Sequence, residues 1–262
     1  MKPRQLALTG LILMGTLLLG NLWTGGTEVF AKSENSVQPP RLVVIFVDMS
    51  ASADQARRTV CKEAFEKIYQ NLRQGDRVVV GTITSQSYID FKPTVDEEIP
   101  KKTVWDNRLQ FEKALANAKD KIRREVNKLL SQKQGTLLTE VLDSLNIADI
   151  VFHDEKERQK LLVILSDMIE DSKEGKFDKD KITDEYINHV IRSRQKNKLV
   201  PNLAGVKVYV AGASAADSDK FRAIQTFWAH YFNESGADFS PHRYGHSLIN
   251  FENGSKMNSV SK

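Results

Sequence analysis

Arg41-Leu42-Val43-Val44-Ile45-Phe46-Val47-Asp48-Met49-Ser50-Ala51-Ser52 is the stretch that decides the fold. Residues 42–47 form a continuous apolar, largely β-branched run with no polar alternation. That is the pattern of a strand buried on both faces, usually in a parallel sheet. The run then ends in Asp48, Ser50 and Ser52 on alternate residues. In an extended segment such side chains point the same way, so three oxygen groups can converge on one ion.

Downstream, Val60, Ala64, Phe65, Ile68 and Leu72 recur at helical spacing over 54–73, and Gly75 stands where a helix C-terminal glycine is expected. A second strand is predicted over 76–84 (DRVVVGTIT) and a short third over 88–91, ending before Pro93. Residues 107–133 carry Phe111, Leu115, Ala118, Ile122, Val126, Leu129 and Leu130 three and four apart, a long amphipathic helix whose charged face reads as solvated. Gly135 breaks it, and a further helix is predicted over 139–152. Strands at 161–165 (LLVIL) and 206–210 (VKVYV) alternate with helices at 183–198 and 218–232. This order predicts an α/β protein: a doubly wound, mostly parallel central sheet with helices on both faces, Rossmann-like, joined by right-handed crossovers.

The 262 residues are 40% hydrophobic and 27% charged, close enough to the globular average to exclude a wholly disordered or collagen-like chain. The net charge of +4 is not gathered into a basic stripe with aromatics, so no nucleic-acid binding is expected. One cysteine, Cys61, cannot form an internal disulfide, and it reads as a buried small hydrophobe without a nearby base.

Lys2 and Arg4 precede an apolar run over 6–19, the layout of a secretory signal, with Val29-Phe30-Ala31 offering a cleavage site. The alternative is an uncleaved anchor, although a span needs about 20 mostly apolar residues. Either way the expected location is secreted, periplasmic or cell-envelope, with membrane contact only through that segment. Residues 32–40 (KSENSVQPP) read as a linker, 41–249 as the folded domain and 250–262 as a flexible polar tail.

The chemistry is expected beyond the carboxyl ends of the strands, where open α/β sheets bind ligands. Asp167 follows LLVIL and brings a second carboxylate to the edge that holds Asp48, and Thr136 in the Gly135-Thr136 loop offers a hydroxyl. Thr139 competes for that role, or serves as a helix N-cap. Two carboxylates and three hydroxyls, without imidazole or thiolate, form a hard oxygen site suited to Mg²⁺, Mn²⁺ or Ca²⁺ rather than zinc. The charged stretch 168–180 (MIEDSKEGKFDKD) reads as a flexible loop beside the ion. His242 and His246 read as surface histidines, Phe227, Trp228, Tyr231 and Phe232 as packing, and Trp105 as an exposed aromatic.

Asp48, Ser50, Ser52, Thr136 and Asp167, in this order and each in a strand-end or loop context, resemble the metal-ion-dependent adhesion site of von Willebrand factor type A domains, a likeness covering most of 41–235. The resemblance implies that the serines and threonine bind the metal directly or through water, that the aspartates act largely through water, and that a protein partner's Asp or Glu carboxylate completes the coordination. The chain departs from that family at Met168, where members commonly have glycine after the second aspartate. A side chain there is expected to reshape the loop or obstruct a closely approaching ligand. The leading expectation is a non-enzymatic, metal-dependent binding module. The alternatives are a Mg²⁺-dependent hydrolase using the same oxygens, with Asp48 as nucleophile, and a scaffold whose metal site is unused.

Overall fold

The computed structural model describes residues 38–50, 55–85, 91–132, 138–248 and 251–252. The expected signal peptide or anchor, most of the linker, Ser52, Thr136 and most of the tail lie outside the described residues. Those that are described form β1 (Arg41–Asp48), α1 (Gln55–Gln70), β2 (Arg77–Ile83), β3 (Val95–Glu98), α2 (Arg108–Ser131), α3 (Val141–His153), β4 (Gln159–Leu165), α4 (Asp184–Lys196), β5 (Val206–Ala211), α5 (Ser218–Glu234) and β6 (Tyr244–Gly245).

The strands make one sheet in the order β3-β2-β1-β4-β5-β6, parallel except for the antiparallel pairing of β3 with β2. This is the doubly wound α/β arrangement that the alternation of elements predicts. All eight residues of β1 are buried, because helices cover both faces. Val43, Ile45 and Val47 pack with α1 and α2, whereas Leu42, Val44 and Phe46 pack with α3, α4 and α5. Each such aliphatic side chain contributes about 1.5–3 kcal/mol when fully buried. The chain leaves β1 towards β2 on one side and is met by β4 on the other, so the strand order reverses between β1 and β4. A crevice at the carboxyl ends of those two strands is where such a sheet offers a ligand site.

Local chemistry fixes the helix ends. Asn107 caps α2 by accepting from the backbone N–H groups of Leu109 and Gln110, and Asp217 caps α5 by accepting from those of Asp219 and Lys220. The charged face of α2 is solvated as expected, with Lys121 and Arg123 paired to Glu97 and Glu66. Trp105 is exposed beside Val104, and Phe227, Trp228, Tyr231 and Phe232 are buried in the core.

The third strand differs from expectation. It lies after Pro93, at Val95–Glu98, while residues 88–90 are outside the described residues and Phe91 belongs to no strand. Phe91 instead places its ring edge-on to Phe46, with centroids 6.2 Å apart, over Gly81. A Cβ at Gly81 would come within 2.3 Å of that ring, so the glycine in β2 makes room for it. The packed body also reaches past residue 249: Phe251 is buried against Tyr209, and Glu252 accepts hydrogen bonds from the Tyr209 hydroxyl (2.7 Å) and Lys207 (3.1 Å).

At the opposite end of β1 from Asp48, the wholly buried Arg41 and Asp76 pair. Asp76 Oδ1 accepts from the Arg41 backbone N–H at 2.9 Å, and Oδ2 accepts from the Arg73 backbone N–H at 2.8 Å and from the Arg41 Nε at 3.1 Å. Removing one member of a buried pair leaves the other charged and unsatisfied. Asp76→Ala is expected to lower unfolding free energy by about 3–5 kcal/mol in denaturant titration, and a loss below 1 kcal/mol would contradict this account of the pair.

Candidate metal centre

Asp48 ends β1, and Asp167 lies two residues beyond the end of β4, the strand hydrogen-bonded beside it. Both are buried, as is Ser50. Of the five expected ligands the structure therefore brings Asp48, Ser50 and Asp167 to one end of the sheet. Ser52 and Thr136 fall in stretches outside the described residues.

The two carboxylates are oriented by short-range donors. Asp48 Oδ1 accepts from the Ser50 backbone N–H at 2.8 Å, and Oδ2 accepts from the Ser166 hydroxyl, also at 2.8 Å. Asp167 Oδ1 accepts from the Ile169 backbone N–H at 3.0 Å. In both cases the aspartate folds back on the amide two residues ahead, the ordinary way for Asp to shape a turn. Arg57, in the first turn of α1, places its guanidinium 2.7 Å from Asp167 Oδ2. Burial raises the Asp167 carboxyl to about 6; Arg57 opposes that rise and the Asp48 charge adds to it.

The structure corrects three expectations about this neighbourhood. First, Met168 does not obstruct the site. It adopts the left-handed backbone conformation (φ 65°) that glycine would take without strain, and its side chain is wholly buried in the core shared with α3, α4 and α5. That conformation costs a non-glycine residue about 1–2 kcal/mol. It is held by the Ser166 hydroxyl, which accepts from the Met168 N–H at 2.9 Å, and by the Trp228 indole N–H, which donates to the Met168 carbonyl at 2.9 Å.

Second, residues 168–180 are pinned rather than flexible. Asp171 bridges to Thr139 and to Lys176, and Phe177 is buried 4.5 Å, centroid to centroid, from Phe227. Third, Thr139 does not cap α3. Glu140 occupies the N-cap position without a side-chain cap bond, and Thr139 exchanges two 3.0 Å backbone bonds with Asp171.

The cap of α3 comes from a residue that the sequence reading passed over. Glu170 is buried and accepts from the Leu142 N–H at 3.0 Å, tying the loop after β4 to the helix that follows the Thr136 segment. Arg194 on α4 reinforces the same loop. It pairs with Glu174 in the loop and Asp143 on α3, and it donates to the Tyr231 hydroxyl on α5. Arg57 was also missed, because nothing local in the sequence links it to Asp167.

Two buried carboxylates and a buried serine hydroxyl at the sheet's switch point are oxygen donors of the kind a hard divalent cation takes. Among the described residues no group of three or more His, Cys, Asp or Glu gathers that could hold a metal ion. His242 is exposed on a short 3₁₀ turn and His246 is exposed beyond β6. Cys61 is buried and its thiol is pushed up to about 12 by desolvation, so it is a packing residue and not a nucleophile.

Comparison with known proteins gives a fold-level picture only. No protein-family model matches the chain, and no curated protein matches it. Among solved structures it is similar to a conserved hypothetical protein, BatB, from Bacteroides thetaiotaomicron, at 16% identity and TM-score 0.36, covering 66% of each chain. A von Willebrand factor type A protein from Catenulispora acidiphila aligns at 16% identity and TM-score 0.39, with 76% of this chain on 42% of that one. The pilus adhesin SpaC from Lactobacillus rhamnosus GG aligns at 14% identity and TM-score 0.39, with 76% of this chain on 30% of that one. The chain thus spans less than two thirds of the length of each. Likeness of this degree assigns neither family nor role.

Glu170 generates a pH prediction. Burial raises its carboxyl to about 8, against an ordinary value of 4.5, with the Leu142 N–H opposing. The folded state then keeps a proton that the unfolded chain has lost, so stability falls as pH rises from about 4.5 to 8, by up to about 1.4 kcal/mol per pH unit. Glu170→Gln, which retains an acceptor for Leu142, is expected to flatten this part of the stability–pH curve measured by denaturant unfolding. An unchanged slope would contradict a protonated Glu170.

Proposed function

We propose that this protein is an extracytoplasmic binding module of the von Willebrand factor type A kind, which holds a divalent cation and uses it to engage an acidic group on a protein partner. The observation that carries the reading is the meeting of two buried carboxylates, Asp48 and Asp167, at the switch point of a doubly wound sheet. Asp48, Ser50, Ser52, Thr136 and Asp167 would hold the ion, with Mg²⁺ the first candidate and Mn²⁺ or Ca²⁺ served by the same oxygens. With two formal negative charges from the protein, a bound divalent ion keeps an appetite for a further anion, which an Asp or Glu carboxylate of a partner supplies.

The reading is non-enzymatic. A hydrolase would need Asp48 as nucleophile or base, but Ser50 stands two residues on, where a phosphate-transferring aspartate site would carry a second Asp, and the nearby Cys61 thiol is held protonated. The extracytoplasmic location rests on the cationic and apolar sequence of residues 1–31. Among the described residues no helix is long and apolar enough to cross a membrane.

The test is a thermal melt of the full-length protein in EDTA and then in Mg²⁺, Mn²⁺ or Ca²⁺, beside Asp48→Ala. The expected result is an ion-specific rise, equivalent to about 2.7 kcal/mol at a hundredfold excess over Kd, that the variant lacks. No rise with any ion would contradict the metal-binding reading and favour a scaffold.

A further inference from the structure

Arg57 is the unusual member of the site. Its side chain is 15% exposed and its guanidinium lies 2.7 Å from the buried Asp167 Oδ2, so this ion pair is largely shielded from solvent. It stands in the first turn of α1, where the helix dipole opposes a cation. A placement that breaks a local rule needs a gain elsewhere, and Asp167 is the group that provides it.

The partners of the two carboxylates also differ in kind. Asp48 is held by the Ser50 amide and the Ser166 hydroxyl, and Asp167 Oδ1 by the Ile169 amide. Backbone amides cannot withdraw without moving the chain, and the Ser166 hydroxyl is also held by the Met168 N–H that it accepts from. Arg57 is long and rotatable, and it can leave Asp167 by changing rotamers alone.

We propose that Arg57 is a tethered cation that neutralises Asp167 in the metal-free protein, and that a divalent ion binds by displacing it, so that Arg57 pairing and metal binding are mutually exclusive. This inference rests on the metal-binding reading above and adds its regulation. Arg57 keeps two buried acids tolerable before the ion arrives, and it sets the ion's affinity by competing for one of its groups. The domain therefore folds without metal and binds the ion more weakly than its carboxylates alone would allow.

The experiment is isothermal titration of Mg²⁺ and Mn²⁺ into the full-length protein and into Arg57→Gln, Arg57→Lys and Arg58→Gln, with a thermal melt of each in EDTA. Arg58 is the adjacent residue on α1 and lines a pocket with Arg57 and Asp48, so its variant removes an equal charge without removing the Asp167 pair. Arg57→Gln is expected to bind the ion at least about tenfold more tightly than wild type. It should also melt lower in EDTA and recover that loss when the ion is added. Arg57→Lys, which keeps the charge on a shorter reach and is the safer variant to fold, is expected to fall between the two. Arg58→Gln, which removes a charge near Asp48 but leaves the Asp167 pair intact, is expected to gain clearly less than Arg57→Gln.

Ion binding by wild type with equal affinity in both Arg57 variants would overturn the competition while leaving the metal site standing. An equal gain in Arg57→Gln and Arg58→Gln would also overturn it, since the effect would then be general charge. Binding of no ion by any of the proteins would overturn the metal reading and the competition together.

Discussion

Two carboxylates taken out of water side by side are the constraint on which the rest of this structure turns. β1 and β4 are hydrogen-bonded neighbours running the same way, so their carboxyl ends necessarily arrive together, and each delivers an aspartate there. Buried like charges repel, and each is costly to desolvate. The protein answers with amides from the following turns, the Ser166 hydroxyl between the strands, and the guanidinium of Arg57. A divalent ion would answer the same need with greater charge. The fold's topology and the site's chemistry are thus one problem.

The loop after β4 carries this constraint outward. Met168 holds a left-handed conformation so that its side chain enters the core, and Gly212 after β5 permits the close approach that the Ser166 backbone requires, since a Cβ there would lie 3.1 Å from the Ser166 carbonyl oxygen. Glu170 then caps α3, Phe177 anchors the loop in the aromatic cluster with Phe227 and Trp228, and Arg194 ties it to α3 and α5. The segment beside the site is therefore anchored to the body of the domain at several points.

How much of this was legible in the sequence depended on whether a residue's role was local. The buried strands announced themselves through unbroken apolar runs, and Asp48, Ser50 and Asp167 could be placed at strand ends because strand ends follow from those runs. β3 was missed because a short, acidic edge strand (VDEE) has no periodicity to read, and the aromatic Phe91 that drew attention instead serves the core across Gly81. The loop 168–180 looked flexible because its composition is charged. Only tertiary structure shows that Glu170 has a helix to cap and Phe177 a cluster to enter. Met168 looked like an obstruction because side-chain direction at a left-handed residue is invisible in sequence. Arg57 was not legible because its partner lies 110 residues away in the chain.

The most direct test of the central claim, that the Asp48 and Asp167 carboxylates form a divalent-cation site, is a crystal structure of the protein grown with Mn²⁺, using anomalous scattering to locate the ion. The account predicts an anomalous peak enclosed by Asp48, Ser50 and Asp167, with the Arg57 guanidinium moved off Asp167. Crystals saturated with Mn²⁺ that show no peak there, with Arg57 still paired to Asp167, would contradict it.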